Sequence, residues 1–401
     1  MEKSDGRAKI EWASAHMPLR SQLKEELAAE QPFRGMRIAM SIHLEAKTAC
    51  LAILLRDAGA EVWVTGSNPL STQDDVAEAL AEEDRIFVRA RHGVSDAEYS
   101  EHLHAVLAPE PEMILDDGGD LVEILHKEAP REILGGCEET TTGVARLRAR
   151  AETLRFPMFA VNDARMKYLF DNRYGTGQST WDAILRSTNL LIAGKDVLVA
   201  GYGWCGRGIA MRARGLGARV TVTEIDPIRA IEALMDGFAV APVCEAIRIA
   251  DFVVTATGCE DVVSEEALRE AKDGVVLSNA GHFNVEVNLE ALRRMARSER
   301  TVRGGVVEYA LEDGRLLYVL GEGRLVNLAL GDGHPVEIMD ISFAVQALTL
   351  RHLVRSGPLA PGLYPVPPEI DERVARMKLE TLGVGIDTLT DAQRAYLGLE
   401  R

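Results

Sequence analysis

The chain has few cysteines, few aromatic residues and no long apolar run. Its 401 residues include five cysteines, without a CxxC pair or the regular spacing of a disulfide framework. A sparse, odd-numbered set of cysteines is typical of reduced thiols in a cytosolic enzyme. No apolar stretch reaches membrane-spanning length, and the first ten residues are charged and lack the apolar core of a signal peptide. These absences predict a soluble cytoplasmic protein.

Positive charge is also scarce. The 45 Lys and Arg residues are outnumbered by 62 Asp and Glu, which gives a net charge of −17. Nucleic-acid binding depends on clustered basic residues, so we expect no nucleic-acid partner. Because hydrophobic residues make up 47% and charged residues 27%, the composition is that of a globular protein, and its length predicts two packed domains.

Short apolar runs alternate with longer amphipathic stretches, and this pattern indicates βαβ units. The runs fall into two series, each of which predicts a parallel sheet flanked by helices. We therefore predict an α/β fold with two doubly wound Rossmann-like domains and a small C-terminal helical arm. The predicted strands are 37–42, 61–65, 85–89, 112–115 and 158–161 in the first series, and 196–200, 219–223, 251–255 and 274–277 in the second.

A glycine motif follows the predicted strand 196–200. Gly201, Gly203 and Gly206 have the GxGxxG spacing, in which glycines turn the chain, admit a pyrophosphate and let helix and strand pack closely. The following helix presents free N–H groups to the phosphates. Glu224 closes the next strand, about 20 residues onward, where a carboxylate can bind both ribose hydroxyls. Since this carboxylate would repel a 2′-phosphate, the sequence predicts NAD rather than NADP.

Two polar, Gly-rich segments mark the expected crossings between the domains. They are residues 172–178 (NRYGTGQ) and 331–335 (GDGHP). We expect a substrate-binding domain over residues 1–177, to which residues 335–368 return, and an NAD-binding domain over residues 178–334. Residues 369–401 are charged and poor in bulky apolar groups, so we expect them to form an oligomerisation arm.

Polar side chains gather where the strands of the first series are expected to end, which is where open α/β sheets bind ligands. Taken singly, each has a structural explanation, such as a helix N-cap for Asp120. Together, carboxylates, a lysine and two histidines around a nicotinamide exceed what fold stability requires and predict an active site. The clusters are His43, Asp116-Asp117-Gly-Gly-Asp120, Glu138-Glu139-Thr140-Thr141-Thr142-Gly143, Lys167 with Asp171 and Asn172, and Asn279-Ala-Gly281-His282.

These clusters resemble the adenosylhomocysteinase family. The resemblance implies an NAD-dependent, reversible hydrolysis of S-adenosyl-L-homocysteine to adenosine and L-homocysteine. In that reaction the 3′-hydroxyl is oxidised, homocysteine is eliminated, water adds and the ketone is reduced again. The matching motifs occur in the family's order over about residues 8–400 and are DDGGD, EETTTG, FDNxYG, VAGYGxxGxG, TEIDP, NxGHFxVE, EGRLVNL and GHP.

The resemblance also implies roles for single residues. Lys167 would deprotonate the 3′-hydroxyl, and we expect burial beside the cofactor to lower its pKa. Asp117 is the implied base at C4′, while His43 and His282 would serve the leaving sulfur and the incoming water. No metal site is expected, because no ligand spacing such as HExxH occurs. The full implied catalytic set is His43, Asp117, Lys167, Asp171, Asn172 and His282.

Binding residues follow from the same resemblance. Glu139 would bind the ribose hydroxyls, Asn327 would lie near the nicotinamide amide, and His334 would lie near the adenine edge. The implied substrate-binding residues are Glu45, Lys47, Glu139, Lys167, Asp171 and His334. The implied cofactor-binding residues are Thr140, Thr141, Thr142, Asn172, Gly201, Gly203, Gly206, Glu224, Thr257, Gly281, His282 and Asn327.

Lys47 departs from the family pattern. Many members have Thr and Glu where this chain has Glu45 and Lys47, and their Glu accepts a hydrogen bond from the adenine 6-amino group. A lysine only donates, which suits the 6-oxo group of hypoxanthine and makes S-inosyl-L-homocysteine an alternative substrate. The other interpretation is that Lys47 pairs with Glu45 and never contacts the base.

Two other classes of function share these features. A hydroxyacid dehydrogenase has the same domains but releases NADH, and a regulatory paralogue would keep the NAD site without catalysis. The dehydrogenase does not explain why Lys167, Asp171, Asp117 and Glu139 occur together. A regulatory paralogue would be expected to lose active-site residues or gain a disordered extension, whereas this chain keeps the matched polar residues. The resemblance implies a homotetramer, with a dimer as the alternative because the chain ends without the Lys and Tyr tail of many relatives.

Overall fold

Two sheets with helices on both faces form the chain. The computed structural model describes residues 5–128 and 132–399. The first sheet has the strand order β15-β6-β5-β4-β1-β2-β3, and the second has the order β12-β13-β14-β11-β10-β7-β8-β9. The strands are β1 (Arg37–Ser41), β2 (Glu61–Thr65), β3 (Ile86–Val88), β4 (Met113–Asp116), β5 (Gly135–Glu138), β6 (Pro157–Ala160), β7 (Asp196–Ala200), β8 (Arg219–Thr223), β9 (Ala239–Val240), β10 (Phe252–Thr255), β11 (Val276–Asn279), β12 (Ala296–Arg303), β13 (Val306–Leu311), β14 (Leu316–Leu320) and β15 (Gly362–Pro365).

The strand order confirms two Rossmann-like, doubly wound sheets. In each sheet the order reverses beside its first strand, between β1 and β4 and between β7 and β10. Such reversals open a crevice at the carboxyl ends of the strands, where these folds bind ligands. Buried apolar clusters cover both faces of each sheet.

The predicted strands are confirmed to within two residues, and β2, β7 and β8 match residue for residue. Their apolar runs are buried, as expected for parallel strands covered on both sides. Strand β5 was not predicted because its sequence is GGCE. Its Gly136 is required because a Cβ there would collide with Ile114 and Met158 on the neighbouring strands.

The second sheet also has an antiparallel edge that the sequence did not predict. Strand β12 pairs with β13, and β13 pairs with β14, both antiparallel. Residues 297–303 of β12 are exposed, and the strand contains four charged side chains (ARSERTVR), so it lacks the apolar alternation of a half-buried strand. Backbone pairing with β13 holds it in place.

Helices cover the two sheets, and among the described residues none is long and apolar enough to cross a membrane. The helices are α1 (Asp5–Ala15), α2 (Pro18–Glu30), α3 (Ala46–Asp57), α4 (Asp74–Ala81), α5 (Asp96–Leu107), α6 (Asp120–Lys127), α7 (Thr141–Ala149), α8 (Arg165–Lys167), α9 (Thr176–Thr188), α10 (Trp204–Gly215), α11 (Pro227–Met235), α12 (Val243–Ala246), α13 (Glu265–Glu270), α14 (Leu289–Met295), α15 (Val326–Ala329), α16 (Val336–Ser356), α17 (Pro368–Thr381) and α18 (Asp391–Tyr396).

The first crossing between the sheets is helical. A π-helical segment, Tyr168–Gly175, joins α8 to α9 and overlaps the crossing expected at residues 172–178. Its glycines serve packing: a Cβ on Gly177 would lie 2.6 Å from the Gly208 backbone, and a Cβ on Gly208 would overlap the Arg173 carbonyl. Close helix contact therefore outweighs the helix-breaking tendency of glycine.

The predicted C-terminal arm divides into two parts. Helix α17 packs on its own chain, where Ile370 and Val374 are buried and Asp371 accepts hydrogen bonds from the backbone N–H groups of Arg165 and Met166. Only residues 382–399 are free of the first sheet's core, and their large apolar side chains are exposed. The expectation that all of residues 369–401 pack on another subunit is therefore wrong for α17.

Helix α2 begins against a carboxylate from α16. Met17, which precedes α2, supplies no side-chain cap. Instead, Asp340 accepts hydrogen bonds of 2.9 Å from the N–H groups of Leu19 and Arg20, and all three residues are buried. Asp340 therefore acts as the N-cap of a helix more than 300 residues away, since each N–H would otherwise be unsatisfied.

We predict that Asp340→Ala lowers the free energy of unfolding by about 2–4 kcal/mol, because two buried N–H groups lose their acceptor. Ser264→Ala is the matched control. It removes a cap that accepts one N–H from Ala267 at a half-buried helix end, and should cost about 0.5–1 kcal/mol. Urea unfolding followed by circular dichroism measures both values. Equal losses in the two variants would contradict this account.

Candidate active site

A buried lysine lies at the centre of the polar cluster beside β5 and the π-helical segment. Lys167 Nζ donates to Asn172 Oδ1 at 2.8 Å and to Asn162 Oδ1 at 3.4 Å. It also lies 3.4 Å from Asp171 Oδ1 and 3.6 Å from Glu139 Oε1. The π-helical turn brings Lys167 and Asn172 to the same side of the helix, and such turns are frequent at functional sites.

The charges in this cluster shift one another's pKa. Burial alone lowers the pKa of Lys167, but the Asp171 and Glu139 carboxylates outweigh it and hold the lysine pKa above its usual range. The expected lowering of the Lys167 pKa is therefore wrong where the protein's own residues alone set it. Burial raises the pKa of Glu139 to about 7 despite Lys167. For Asp171, Lys167 and His334 outweigh burial and hold the carboxyl pKa below its usual range.

His334 belongs to this lysine cluster. Its Nδ1 lies 2.9 Å from Asp171 Oδ1, and its Nε2 lies 3.2 Å from Thr176 Oγ1. Ser342 donates to Asp171 Oδ2 at 2.8 Å, and the Gln346 amide donates to Glu139. Both residues come from α16, which was not expected to contribute to the site. These contacts were not indicated by the sequence, because Asp171 and Glu139 lie 171 and 207 residues away from their partners along the chain.

Asp117 and two histidines form a second cluster at the carboxyl ends of β1 and β4. His43 Nε2 lies 3.3 Å from Asp117 Oδ2, and His282 Nδ1 lies 3.8 Å from Asp117 Oδ1. Burial lowers the pKa of His43 to about 4, although Asp117 opposes the shift. Asp117 Oδ1 is buried and finds no hydrogen-bond partner within residues 5–128 and 132–399. The structure thus brings together three residues that the sequence grouped.

Two further buried carboxyl groups fix the backbone around Asp117. Asp116 Oδ1 accepts from the Asp117 N–H at 3.1 Å, and Glu138 Oε1 accepts from the Gly118 N–H at 2.9 Å. Glu138 Oε1 also accepts from the N–H and hydroxyl of Thr140, each at 2.9 Å. Burial raises the pKa of Asp116 to about 7 and that of Glu138 well above its usual range. Glu138 therefore ties the Asp117 turn to the start of α7, where Thr141 and Thr142 lie.

Lys47 pairs with Glu45 at the first turn of α3. Its Nζ lies 2.7 Å from Glu45 Oε2 and donates to the Asp332 carbonyl at 2.6 Å. Glu45 also accepts from the Lys47 N–H as the N-cap of α3. The ammonium therefore links the first sheet to residues 331–335. Beside it lies a cavity of about 340 Å³ lined by both sheets' segments, including Glu45, Ser71, Gln73, Arg186, Leu328 and Asp332.

The glycine motif forms a tight turn between β7 and α10. Gly201 has a φ of 96°, and a Cβ on Gly206 would overlap the Gly201 carbonyl. Gly203 is the N-cap residue of α10, and no side chain caps this helix. The N–H groups of the first turn of α10 therefore have no partner within the helix. Glu224 Oε2 accepts from the Tyr202 N–H at 2.7 Å, so this carboxylate lies beside the motif. This arrangement fits a dinucleotide, because the glycine turn leaves room for a pyrophosphate and the Glu224 carboxylate could accept hydrogen bonds from a ribose.

A buried glutamate joins two loops of the second sheet. Glu286 accepts from the Thr257 hydroxyl at 2.6 Å and from the Gly258 N–H at 2.8 Å. A Cβ on Gly281 would overlap the Glu286 carboxylate, so this glycine is required for the contact. Thr257 and Gly281 are therefore held together by a residue that we had not singled out.

Asn327 lies apart from these loops, on α15. Its Nδ2 donates to Ser179 Oγ at 2.9 Å, while its buried Oδ1 has no partner in the part of the chain that the structure describes. An unpaired, buried acceptor is a feature of a ligand site, because leaving it unsatisfied is costly. A carboxamide N–H of a nicotinamide has the matching chemistry.

The comparisons with known proteins agree over nearly the whole chain. Residues 172–333 match the family model described as S-adenosyl-L-homocysteine hydrolase, NAD binding domain, and residues 1–133 match that of S-adenosyl-L-homocysteine hydrolase. The chain is 58% identical over 398 residues to the adenosylhomocysteinase of Thermotoga maritima, covering 98% of each chain.

Relatives with two different names are almost equally similar. Identity is 54% over 399 residues to the S-inosyl-L-homocysteine hydrolase of Methanothermobacter thermautotrophicus, covering 98% of this chain and 95% of that one. Identity is also 54% over 399 residues to the adenosylhomocysteinase of Archaeoglobus fulgidus, covering 98% of each chain. Sequence identity to these relatives therefore does not show whether the substrate of this chain carries adenine or hypoxanthine.

We predict that Gly206→Ala weakens NAD binding at least about 100-fold, because a methyl group at this position collides with the Gly201 carbonyl and distorts the phosphate-binding turn. Gly215→Ala is the control, since it lies in the same helix with open space around it. Isothermal titration of NAD into cofactor-stripped protein measures both affinities. Equal NAD affinities in the two variants would show that the turn does not bind the cofactor.

Proposed function

Because the chain belongs to the S-adenosyl-L-homocysteine hydrolase family, we propose that it hydrolyses S-adenosyl-L-homocysteine to adenosine and L-homocysteine, in a reversible reaction. The observation that carries this proposal is the buried Lys167 amid the oxygens of residues 139, 162, 171 and 172. When bound, NAD supplies the oxidant for the ribose 3′-carbon and later the reductant that restores it.

The lysine cluster supports proton transfer at the 3′-hydroxyl. Lys167 presents an ammonium that is hydrogen-bonded to Asn172 and held between Asp171 and Glu139, so it can donate to a ribose oxygen placed beside it, and it would take the 3′-hydroxyl proton only as the neutral amine. Glu139, whose pKa is raised to about 7, is the neighbour of Lys167 whose own protonation can change near neutral pH. We also propose that Glu139 and Asp171 form hydrogen bonds with the ribose hydroxyls of the substrate.

The second cluster supports chemistry at C4′ and C5′. Once the 3′-carbon is a ketone, the C4′ proton is acidic, and the unpaired Oδ1 of Asp117 is available to accept it. His43 lies 3.3 Å from one oxygen of Asp117 and His282 lies 3.8 Å from the other, and we assign the two histidines to the leaving sulfur and the incoming water. Asp117 is buried and both histidines are only slightly exposed, which favours a site that excludes bulk water.

The other predicted ligands are assigned to the cofactor. We propose that the glycine turn binds the pyrophosphate and that Glu224 binds a ribose. Asn327 would contact the nicotinamide amide, supported by its unpaired Oδ1. The remaining proposed contacts are Asn172 on the π-helical segment and residues beside Glu138 and Glu286, which are Thr140, Thr141, Thr142, Thr257, Gly281 and His282.

We predict that the NAD-loaded protein releases homocysteine thiol from S-adenosyl-L-homocysteine without net NADH. Lys167→Ala should lower kcat about 10²–10⁴-fold, the usual contribution of a positioned acid–base group. Lys127→Ala, an exposed lysine paired with Glu123, is the control and should keep full activity. Stoichiometric NADH release would instead indicate the dehydrogenase, and absence of turnover in the parent would favour the regulatory paralogue.

S-inosyl-L-homocysteine is the second candidate substrate, because the Lys47 ammonium can only donate hydrogen bonds. Of the three N–H donors on its ammonium, contacts to Glu45 and the Asp332 carbonyl use two. The third could donate to a purine 6-oxo group placed beside the ammonium, whereas a 6-amino group offers no acceptor. The pairing with Glu45 explains equally well how an adenine-specific site tolerates this lysine.

We predict that Lys47→Gln raises the ratio of kcat/KM for S-adenosyl- over S-inosyl-L-homocysteine at least about tenfold, because the amide oxygen can accept from a 6-amino group. Lys47→Glu should shift the ratio in the same direction, but it should also weaken substrate binding because it places a second carboxylate beside Glu45. Steady-state product formation from each substrate gives the ratio. If the ratio stays at the parent value, Lys47 serves only the contact between Glu45 and Asp332.

We further propose that the first sheet with residues 1–177 and 335–368 is the substrate domain, and that residues 178–334 form the NAD domain. The match of residues 172–333 to an NAD-binding family model supports this division. We also propose a cytoplasmic location, supported by five cysteines that are all free.

A homotetramer is the proposed assembly, with a dimer as the alternative. Residues 382–399 expose several large apolar side chains, and so does α11 beside Glu224. Patches of this kind mark protein interfaces. The most exposed of these side chains are Ile225, Ile228, Met235, Leu382, Ile386 and Tyr396.

We predict that deleting residues 382–401 reduces the assembly to a smaller species, measured by light scattering after size-exclusion chromatography. The deletion should leave the thermal midpoint of the protomer nearly unchanged, because residues 382–399 are exposed. An unchanged molar mass after the deletion would assign the interface elsewhere.

A further inference from the structure

Two fully buried donors on one face of α16, Ser342 and Gln346, hold the carboxylates beside Lys167. The Ser342 hydroxyl donates to Asp171 Oδ2 at 2.8 Å. The Gln346 amide donates to Glu139 Oε2. The opposite oxygens, Asp171 Oδ1 and Glu139 Oε1, lie 3.4 Å and 3.6 Å from Lys167 Nζ. Helix α16 therefore fixes which oxygen of each carboxylate faces the lysine.

One carboxylate oxygen beside the lysine lacks a hydrogen bond. Both oxygens of Asp171 are engaged, because Oδ1 lies 2.9 Å from His334 Nδ1 and Oδ2 accepts from Ser342. Glu139 Oε1, in contrast, is buried and has no hydrogen-bond partner among the residues that the structure describes. Leaving such an oxygen unsatisfied is costly, so it is a feature of a ligand site. The 2′- and 3′-hydroxyls of a ribose lie on adjacent carbons and on one face of the ring, so a 3′-hydroxyl beside Lys167 brings the 2′-hydroxyl close to this acceptor.

The amide of Gln346 suits Glu139 in both of its protonation states. Burial raises the pKa of Glu139 to about 7, and the N–H donated by Gln346 opposes this shift. Lys167 also opposes it, while Asp171 and Asp117 add to it. An amide carries both a donor and an acceptor. Its NH₂ group donates to the carboxylate, and the carbonyl oxygen of Gln346, which is buried and unpaired within the described part of the chain, can accept from the protonated acid after the amide rotates.

We propose that Gln346 is a positioning residue that turns Glu139 Oε1 towards the ribose 2′-hydroxyl, and that the enzyme thereby selects ribose over 2′-deoxyribose. The inference rests on the proposed function, since it concerns the sugar whose 3′-carbon is oxidised. In this role Gln346 acts through Glu139 rather than on the reacting atoms. Without the amide, Glu139 loses the hydrogen bond that holds Oε2, so its carboxyl group can rotate and offers the 2′-hydroxyl no fixed acceptor.

The test compares S-adenosyl-L-homocysteine with its 2′-deoxyribose analogue as substrates of the NAD-loaded protein. In Gln346→Met, which nearly conserves volume, we expect the ratio of kcat/KM for the two substrates to fall at least about tenfold, through a loss with the ribose substrate alone. The acidic limb of the kcat/KM profile for the ribose substrate should also move to higher pH, because Glu139 loses a donor that favours its ionised form. Thr349→Val is the control and should keep the parent ratio, since Thr349 is buried in the same helix but donates to the Val345 carbonyl.

Binding is measured separately, by isothermal titration of adenosine and 2′-deoxyadenosine into the NADH-loaded protein, in which the sugar cannot be oxidised. The affinity ratio should also fall at least about tenfold in Gln346→Met, and the same change should cause no further fall in a Glu139→Gln background. Circular dichroism checks that each variant is folded. A binding ratio that depends on Gln346, in a parent without turnover, would retain this inference and reject the proposed function. A parent ratio kept by folded Gln346→Met, or an equal fall in Thr349→Val, would overturn the inference.

Discussion

Burial of the Lys167 ammonium is the constraint around which the rest of the site is arranged. A charge removed from water requires charged and hydrogen-bonding partners, and Lys167 finds them on two separate segments: Glu139 after β5, and Asp171 and Asn172 on the π-helical segment. These carboxylates are in turn held by Ser342 and Gln346 of α16. The return of α16 to the first sheet is therefore a requirement of the lysine cluster as much as of the apolar core.

The same crossing helix fixes the cluster relative to the glycine turn. The π-helical segment packs on α10 through Gly208, whose missing side chain allows contact with the Arg173 carbonyl, and α9 packs there through Gly177. Helix α10 begins at the glycine motif, so a rigid connection runs from Lys167 to the dinucleotide turn. Lys47 provides a second link, from α3 to the Asp332 carbonyl on the other crossing. Both crossings thus meet the crevice where the proposed chemistry occurs.

Local patterns allowed nine of the strands, the glycine turn and the clusters at the strand ends to be predicted from the sequence. Contacts between distant residues could not be. Glu286 and Asp340 look like ordinary acids in the sequence, yet each binds backbone N–H groups of another segment. Glu138 belongs to a predicted cluster, but its contact with the Gly118 N–H could not be foreseen. The direction of the Lys167 pKa was wrong for the same reason, since burial was foreseeable but the distances to Asp171 and Glu139 were not. The π-helical turn at the first crossing was not predicted either, because the glycine contacts that pack it on α10 join residues distant along the chain.

The central claim is that oxidation and reduction occur at the same ribose carbon on a cofactor that stays bound. The most direct measurement gives the NAD-loaded protein S-adenosyl-L-homocysteine carrying deuterium at C3′ and determines the label in the adenosine by mass spectrometry. This account predicts that adenosine keeps the C3′ deuterium and that no labelled NADH appears in solution. Loss of the C3′ label, or its appearance in free NADH, would contradict it.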